Sequence, residues 1–218
     1  MKIPIYDSYT SDKLNVAAIC PGTRAMGPGL RSALWVQGCP FNCQGCISPE
    51  WRTCEEHRLM TPEQTLNRLL SVTEIAGITF SGGEPMLQAG ALAETARLAR
   101  KANPRLTVIC FTGYTLQQLL RLKHLPGITD LLGELDVLID GQYDWRRHTD
   151  RGMRGSTNQS IYYLSERLRD NGLEKLQRRT EFRILDGEMM LVGVPTRQAR
   201  LAFDSIRLPE GVLSHERS

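Results

Sequence analysis

Cys39, Cys43 and Cys46 fall within eight residues, in the stretch Gly38-Cys-Pro-Phe-Asn-Cys-Gln-Gly-Cys46. Cysteine thiolates hold soft metals and iron–sulfur clusters. A cubane [4Fe–4S] cluster has four irons, usually held by four cysteines, so three thiolates leave one iron open. An open metal position is where chemistry can happen, as at catalytic zinc sites. A second stretch, Thr79-Phe-Ser-Gly-Gly-Glu-Pro85, sets two adjacent glycines and a carboxylate after an apolar run. Glycines adopt dihedrals closed to other residues and let the backbone approach a ligand closely.

Simpler readings compete with this one. Three cysteines so close together cannot all pair as disulfides, and the opening Met1-Lys-Ile-Pro carries no secretory pattern. A structural zinc site is the serious rival, with Cys54 or His57 as a fourth ligand. Zinc modules, however, usually bring their ligands as two separated pairs. Gly-Gly-Glu-Pro alone reads as an ordinary strand-to-helix turn. Coupled to the cysteine triad it becomes specific.

The elements that must position these residues follow from the pattern around them. The run 33–37 is short and apolar and ends at the cysteine loop. Thr61 and Pro62 open a helix, as N-cap and first helical residue, with Leu66, Leu69 and Leu70 on one face. The run 76–81 predicts a strand leading into Gly82 and Gly83. The Ala- and Leu-rich stretch 88–101 predicts a helix, stopped by Asn103 and Pro104. Strands are expected at 106–111 and 136–140, with a helix over 115–123 between them. Strand and helix alternating at this spacing argue for right-handed βαβ units and a parallel sheet. Too few units fit before residue 170 for an eight-fold barrel, so the expected α/β architecture is a partial (βα)n barrel, an open parallel sheet. Asp186-Gly187 between two apolar stretches predicts a β-hairpin, followed by a short helix after Pro195. The division expected is a main domain over 1–170 and a hairpin and helix extension over 171–218.

Composition sets further bounds. Of 218 residues, 41% are hydrophobic and 23% charged, ordinary for a soluble globular chain. No apolar run approaches the ~20 residues that span a membrane. The net charge of +3 is too mild to imply a nucleic-acid partner. Six cysteines without a secretory signal imply a reducing, cytoplasmic setting with metal-bound or buried thiols. Cys20, Cys54 and Cys110 are not expected as ligands, and Cys110 reads as a core residue.

In a parallel α/β sheet, ligands gather beyond the carboxyl ends of the strands. The cysteine loop and the Gly-Gly-Glu turn each follow a predicted strand, so both emerge on one rim. Together they resemble the radical S-adenosylmethionine (radical SAM) superfamily. The resemblance narrows to the activating proteins of anaerobic ribonucleotide reductase. It is carried by Gln44-Gly-Cys46, Gly27-Pro-Gly29, Pro49-Glu-Trp51, Phe111-Thr-Gly-Tyr114, Asp136-Val-Leu-Ile-Asp-Gly141 and Arg154-Gly-Ser-Thr-Asn-Gln159. It covers roughly residues 15 to 165.

The resemblance implies a [4Fe–4S] cluster on Cys39, Cys43 and Cys46, whose open iron chelates the amino and carboxylate groups of SAM. One electron then cleaves the sulfonium, leaving methionine and a 5′-deoxyadenosyl radical. It further implies that the motif of Gly82, Gly83 and Glu84 receives the SAM ammonium, with Glu84 helping to shape it. Thr112, Asp140, Ser156 and Asn158 are the other expected SAM-side residues, and Phe41 and Trp51 would shield the cluster. A flavodoxin or ferredoxin would supply the electron. The expected target is a glycine of a glycyl-radical enzyme; the alternative is a ribosomally made precursor peptide, with the hairpin as part of its binding surface. Two departures stand out. Ile47-Ser-Pro49 replaces the usual Asn-Pro after the last cysteine, and Gln142 stands where a related activase has lysine. The tail from residue 171 is an extension that compact activases lack, expected to recognise the partner or to cover the open side of the barrel.

Overall fold

The structure, a computed structural model, describes residues 12–206. The opening Met1-Lys-Ile-Pro and the end of the expected extension, 207–218, lie outside the described residues.

The centre of the fold is four parallel strands: β2 (Arg31–Val36), β4 (Gly77–Gly82), β5 (Thr107–Phe111) and β6 (Val137–Asp140). Every residue of β2 and β6 is buried. Burial on both faces is why these strands read as continuous apolar runs with no polar alternation. Both flanks are antiparallel, which the βαβ pattern did not foresee. β1 (Leu14–Thr23) runs antiparallel to β2 and carries the two-residue edge strand β3 (Leu59–Met60), and β7 (Ser160–Tyr163) runs antiparallel to β6. The result is an open, mixed sheet in the order β3-β1-β2-β4-β5-β6-β7.

Helices cover one face. α1 (Pro62–Leu69) begins with a capping box, in which the Thr61 hydroxyl accepts from the Gln64 amide and the Gln64 side chain accepts from the Thr61 amide. α2 (Ala89–Ala102) presents Leu92, Ala96 and Ala99 to the sheet. α3 (Leu116–Arg121) and the unforeseen α4 (Ile128–Glu134) add Leu119 and Leu131 to the same core.

The opposite face is covered by the tail. β8 (Thr180–Leu185) and β9 (Glu188–Gly193) form the expected hairpin. Asp186 and Gly187 take φ values of 50° and 87°, the doubly left-handed backbone of a type I′ turn. Val192 is fully buried with Ala18, Cys20, Ala33 and Trp35 of the main sheet, while Phe182 and Ile184 face solvent. α5 (Arg197–Ile206) follows.

At the amino ends of the strands lies a buried cation. The Arg31 guanidinium donates to the Thr79 hydroxyl (2.9 Å), the Thr107 hydroxyl (2.8 Å) and the carbonyls of Ile78 (2.7 Å) and Thr107 (2.9 Å). It thereby ties β2, β4 and β5 together. Burial pushes its pKa down to about 9, with Asp136 acting weakly in the other direction.

Candidate active site

The carboxyl ends of the four parallel strands open onto one rim, as expected for such a sheet. The segments after β2, β4, β5 and β6 line a cavity of about 480 Å³ there. Cys39, Cys43, Cys46, Gly82, Gly83, Glu84 and Thr112 all line it, with Phe41 and Trp51. Asp140, Ser156 and Asn158 do not.

The cysteine loop is held from two sides. The Gly38 amide donates to the Trp51 carbonyl (2.9 Å) and the Cys39 amide to the Arg52 carbonyl (3.1 Å). The Glu84 amide donates to the Gly38 carbonyl (2.8 Å), which fastens the Gly-Gly-Glu turn to the stem of the loop. This explains the glycines differently from the expectation of close ligand approach. A Cβ on Gly82 would stand 2.3 Å from the Val36 nitrogen, and one on Gly83 would stand 2.2 Å from the Gly38 oxygen. Backbone-to-backbone packing already demands both.

Glu84 is fully buried and its carboxylate is occupied. Oε1 accepts from the Met86 amide (2.9 Å) and the Thr112 hydroxyl (2.7 Å), and Oε2 from the Gly113 amide (2.7 Å). Burial raises its pKa to about 7 despite these three donors. The side chain therefore braces the turn through its contacts with Met86, Thr112 and Gly113. Asp140 is likewise engaged, accepting from the Leu116 amide at the start of α3 (2.6 Å) and from the Ser160 amide (3.2 Å).

The hexapeptide 154–159 folds back on the end of β6. Gln159 accepts from the Gly155 (2.8 Å) and Ser156 (3.1 Å) amides and donates to the Gly141 carbonyl (2.8 Å). The buried Ser156 hydroxyl accepts from the Asp144 amide (3.1 Å). Asn158 donates to the Gln142 carbonyl (2.8 Å), and the Gln142 side-chain oxygen accepts from the Cys43 thiol at 3.8 Å. Ser156 and Asn158 thus position cavity residues from outside the cavity.

The thiols suit a cluster. Burial pushes Cys39 up to about 12 and raises Cys43 as well, so without a cation both stay protonated. Iron supplies the positive charge that makes thiolates favourable in such a place. The proposed fourth ligands for zinc lie elsewhere. The Cys54 thiol is directed at the Arg52 carbonyl, and His57 Nδ1–H donates to the Val16 carbonyl (2.9 Å). Among the described residues no three His, Cys, Asp or Glu side chains converge on one ion position. A cubane needs no such convergence, since each cysteine holds a different iron.

A family profile described as a 4Fe-4S single cluster domain matches residues 25–162. An anaerobic ribonucleoside-triphosphate reductase-activating protein of Vibrio cholerae is 33% identical over 144 residues, which is 62% of this chain and 89% of that protein. This chain belongs to the 4Fe-4S single cluster domain family, as a radical SAM enzyme of the activating type. The protein of the same description from Enterobacteria phage T4 is 28% identical over 153 residues, 68% of this chain and 94% of the relative. A pyruvate formate-lyase-activating enzyme of Staphylococcus aureus is 40% identical over 68 residues, 28% of this chain and 27% of that enzyme.

Several residues that line the cavity had not been singled out. Tyr143 and His148 line the cavity beside Gly45 and Gly155. The Tyr143 hydroxyl bonds His148 Nδ1 (3.0 Å), and His148 Nε2 bonds Asp150 (2.8 Å). Since Asp150 accepts from Nε2–H, the Nδ1 lone pair accepts from the tyrosine. The strand-end rule could have found Tyr143, three residues past β6. Nothing local in the sequence marks Arg197, Arg200 and Leu201 of α5, which also line the cavity.

Proposed function

We propose that this chain binds S-adenosylmethionine at a [4Fe–4S] cluster on Cys39, Cys43 and Cys46 and activates a glycyl-radical enzyme, on a sheet that we read as an open partial barrel. The observation that carries the proposal is the meeting of the three thiols with the Gly82-Gly83-Glu84 turn in one cavity. When bound, the cluster and SAM supply one-electron cleavage of the sulfonium and, from it, the radical that takes a hydrogen atom from the partner.

The chain's own residues orient and shield. The Glu84 carboxylate fixes the turn, and the turn as a whole receives the ammonium group. Asn158 holds Gln142 beside Cys43, and Gln159 holds Gly141. Phe41, packed edge-on against Tyr114 at 4.8 Å, and Trp51, 5.9 Å from Trp35, exclude water. Asp140 and Thr112 act through the backbone and through Glu84. The names of the relatives support a glycyl-radical reductase or lyase as target. A flavodoxin or ferredoxin is the expected electron donor. Six cysteines, none of them in a disulfide among the described residues, suit the reducing cytoplasm, and among the described residues no helix is long and apolar enough to cross a membrane.

The test is anaerobic reconstitution. The chain should hold about four irons and four sulfides and release 5′-deoxyadenosine from SAM under dithionite. Mixed with its glycyl-radical enzyme it should produce a glycyl radical visible by electron paramagnetic resonance. Zinc in place of iron would refute the proposal. SAM cleavage coupled only to a small precursor peptide would favour the peptide-modifying alternative.

A further inference from the structure

The tail helix brings to the cavity a charge pattern that the cluster and SAM do not require. α5 contributes Arg197, Arg200, Leu201 and Asp204 to the lining. Arg197 is exposed, and its side chain forms no ion pair among the described residues. Among the described residues Arg200 pairs only with Asp204, one turn along the same helix (3.0 Å). An exposed pair of this kind is weak and readily exchanged for a better carboxylate. The other acidic group on the lining, Glu84, is fully buried and taken up by its three donors. The tail side of the cavity therefore presents one arginine without an ion pair among the described residues and one whose partner is a half-exposed aspartate on the same helix. Burial raises the pKa of the Tyr143 hydroxyl, and both arginines lie near enough to oppose that rise.

These arginines stand on an anchored platform. The Arg197 amide donates to Asp150 (3.1 Å), the same carboxylate that orients His148. Arg178 donates to the Pro195 carbonyl just before α5 (3.2 Å), to the Gly152 carbonyl (2.7 Å) and to the Arg154 carbonyl. The start of the helix is thus pinned to the 150–154 loop. The platform also lies beyond the stretch that the family profile matches, which ends at residue 162.

We propose that Arg197 and Arg200 form a carboxylate-binding edge on the reaction cavity, selecting a partner whose entering segment carries Asp, Glu or a terminal carboxylate. Arginine suits this role because its planar fork can grip a carboxylate through two donors. The proposal rests on the reading of this cavity as the reaction site, and it names the chemistry of the partner that enters.

The experiment uses the full chain, cluster-loaded and anaerobic, with two fluorescein-labelled ten-residue peptides. Each has a central glycine, flanked by glutamates in one and by glutamines in the other. Binding is read by anisotropy. The glutamate peptide should bind about tenfold more tightly, the effect expected of a hydrogen-bonded charge. Arg197→Gln with Arg200→Gln should reduce the preference to within about twofold. Equal binding of both peptides by the unaltered chain, which requires no variant to fold, would overturn the proposal. So would a preference that survives the double substitution. SAM retention is measured in parallel by equilibrium dialysis. If the double variant loses SAM while keeping its peptide preference, the edge serves the cofactor's carboxylate and the proposal fails. Because the peptide arm reads binding alone, it is decided whether or not the chain cleaves SAM, so its failure is distinguishable from failure of the proposed function.

Discussion

Glu84 Oε1 accepts the Thr112 hydroxyl at 2.7 Å, joining the end of β4 to the end of β5. The Gly113 amide on Oε2 makes the link bidentate. The carboxylate is thus a brace between two strand ends.

The brace titrates. The Glu84 carboxyl lies at about 7, above its ordinary 4.5, because burial disfavours its charge. Between those values the folded chain keeps a proton that the unfolded chain has released. Stability therefore falls as pH rises from about 4.5 to about 7 and is flat above, by roughly 3 kcal/mol from this group. Urea unfolding of the metal-free chain at pH 5 and pH 8 should show the loss. Glu84→Gln should flatten it; parallel pH profiles for the two proteins would contradict the assignment.

Cys39→Ala, Cys43→Ala and Cys46→Ala should each abolish the brown cluster and the cleavage of SAM. Cys20→Ala and Cys110→Ala should keep both, since these two thiols are buried in the sheet core. Cys54→Ala should also keep both, because that thiol faces the Arg52 carbonyl. Iron and sulfide assays decide this. A cluster lost with Cys54 and retained by one of the triad variants would reassign the ligands.

Gly83→Ala is expected to damage the cysteine loop as well as the binding of SAM. Its methyl would stand 2.2 Å from the Gly38 oxygen and 2.8 Å from the Trp51 oxygen, and neither backbone group can swing away. The cost should be roughly 3 kcal/mol, with iron content falling alongside stability. A Gly83→Ala chain with full iron and a normal melting temperature would show that the loop yields easily.

Val192→Ala tests whether the tail completes the core. Val192 is fully buried against Ala18, Cys20, Ala33 and Trp35. Removing its two methyl groups should cost about 2 kcal/mol, seen as a lower melting temperature. Removal of everything after Asp170 should then give insoluble protein. A truncated chain that stays soluble and loads a cluster would mean the hairpin is an appendage.

The sequence revealed what local chemistry enforces. The Thr61-Pro62 helix start, the Asp186-Gly187 turn and the apolar runs of the parallel strands each carry their own signal, and each formed as read. β1 was hidden because Pro21 and Gly22 interrupt its pattern, and α4 because it is short, starts at Gly127 and contains Gly133. At the site, the strand-end rule brought Cys39, Gly82 and Thr112 to one rim. It could not say which way a polar side chain would be used. A strand-end Asp looks the same whether it faces a ligand or, like Asp140, caps a helix. The arginines of α5 were invisible for another reason: they come to line the cavity only through packing of the tail across the sheet.

The buried Arg31 has a bearing on how the metal site is assembled. Its guanidinium is shared among three strands, and β2, whose end carries the cysteine loop, is one of them. The stem cannot slide past its neighbours without breaking several buried hydrogen bonds at once. The cysteine loop therefore springs from a stem whose register is set at the far end of the sheet, by a side chain that takes no part in the cavity.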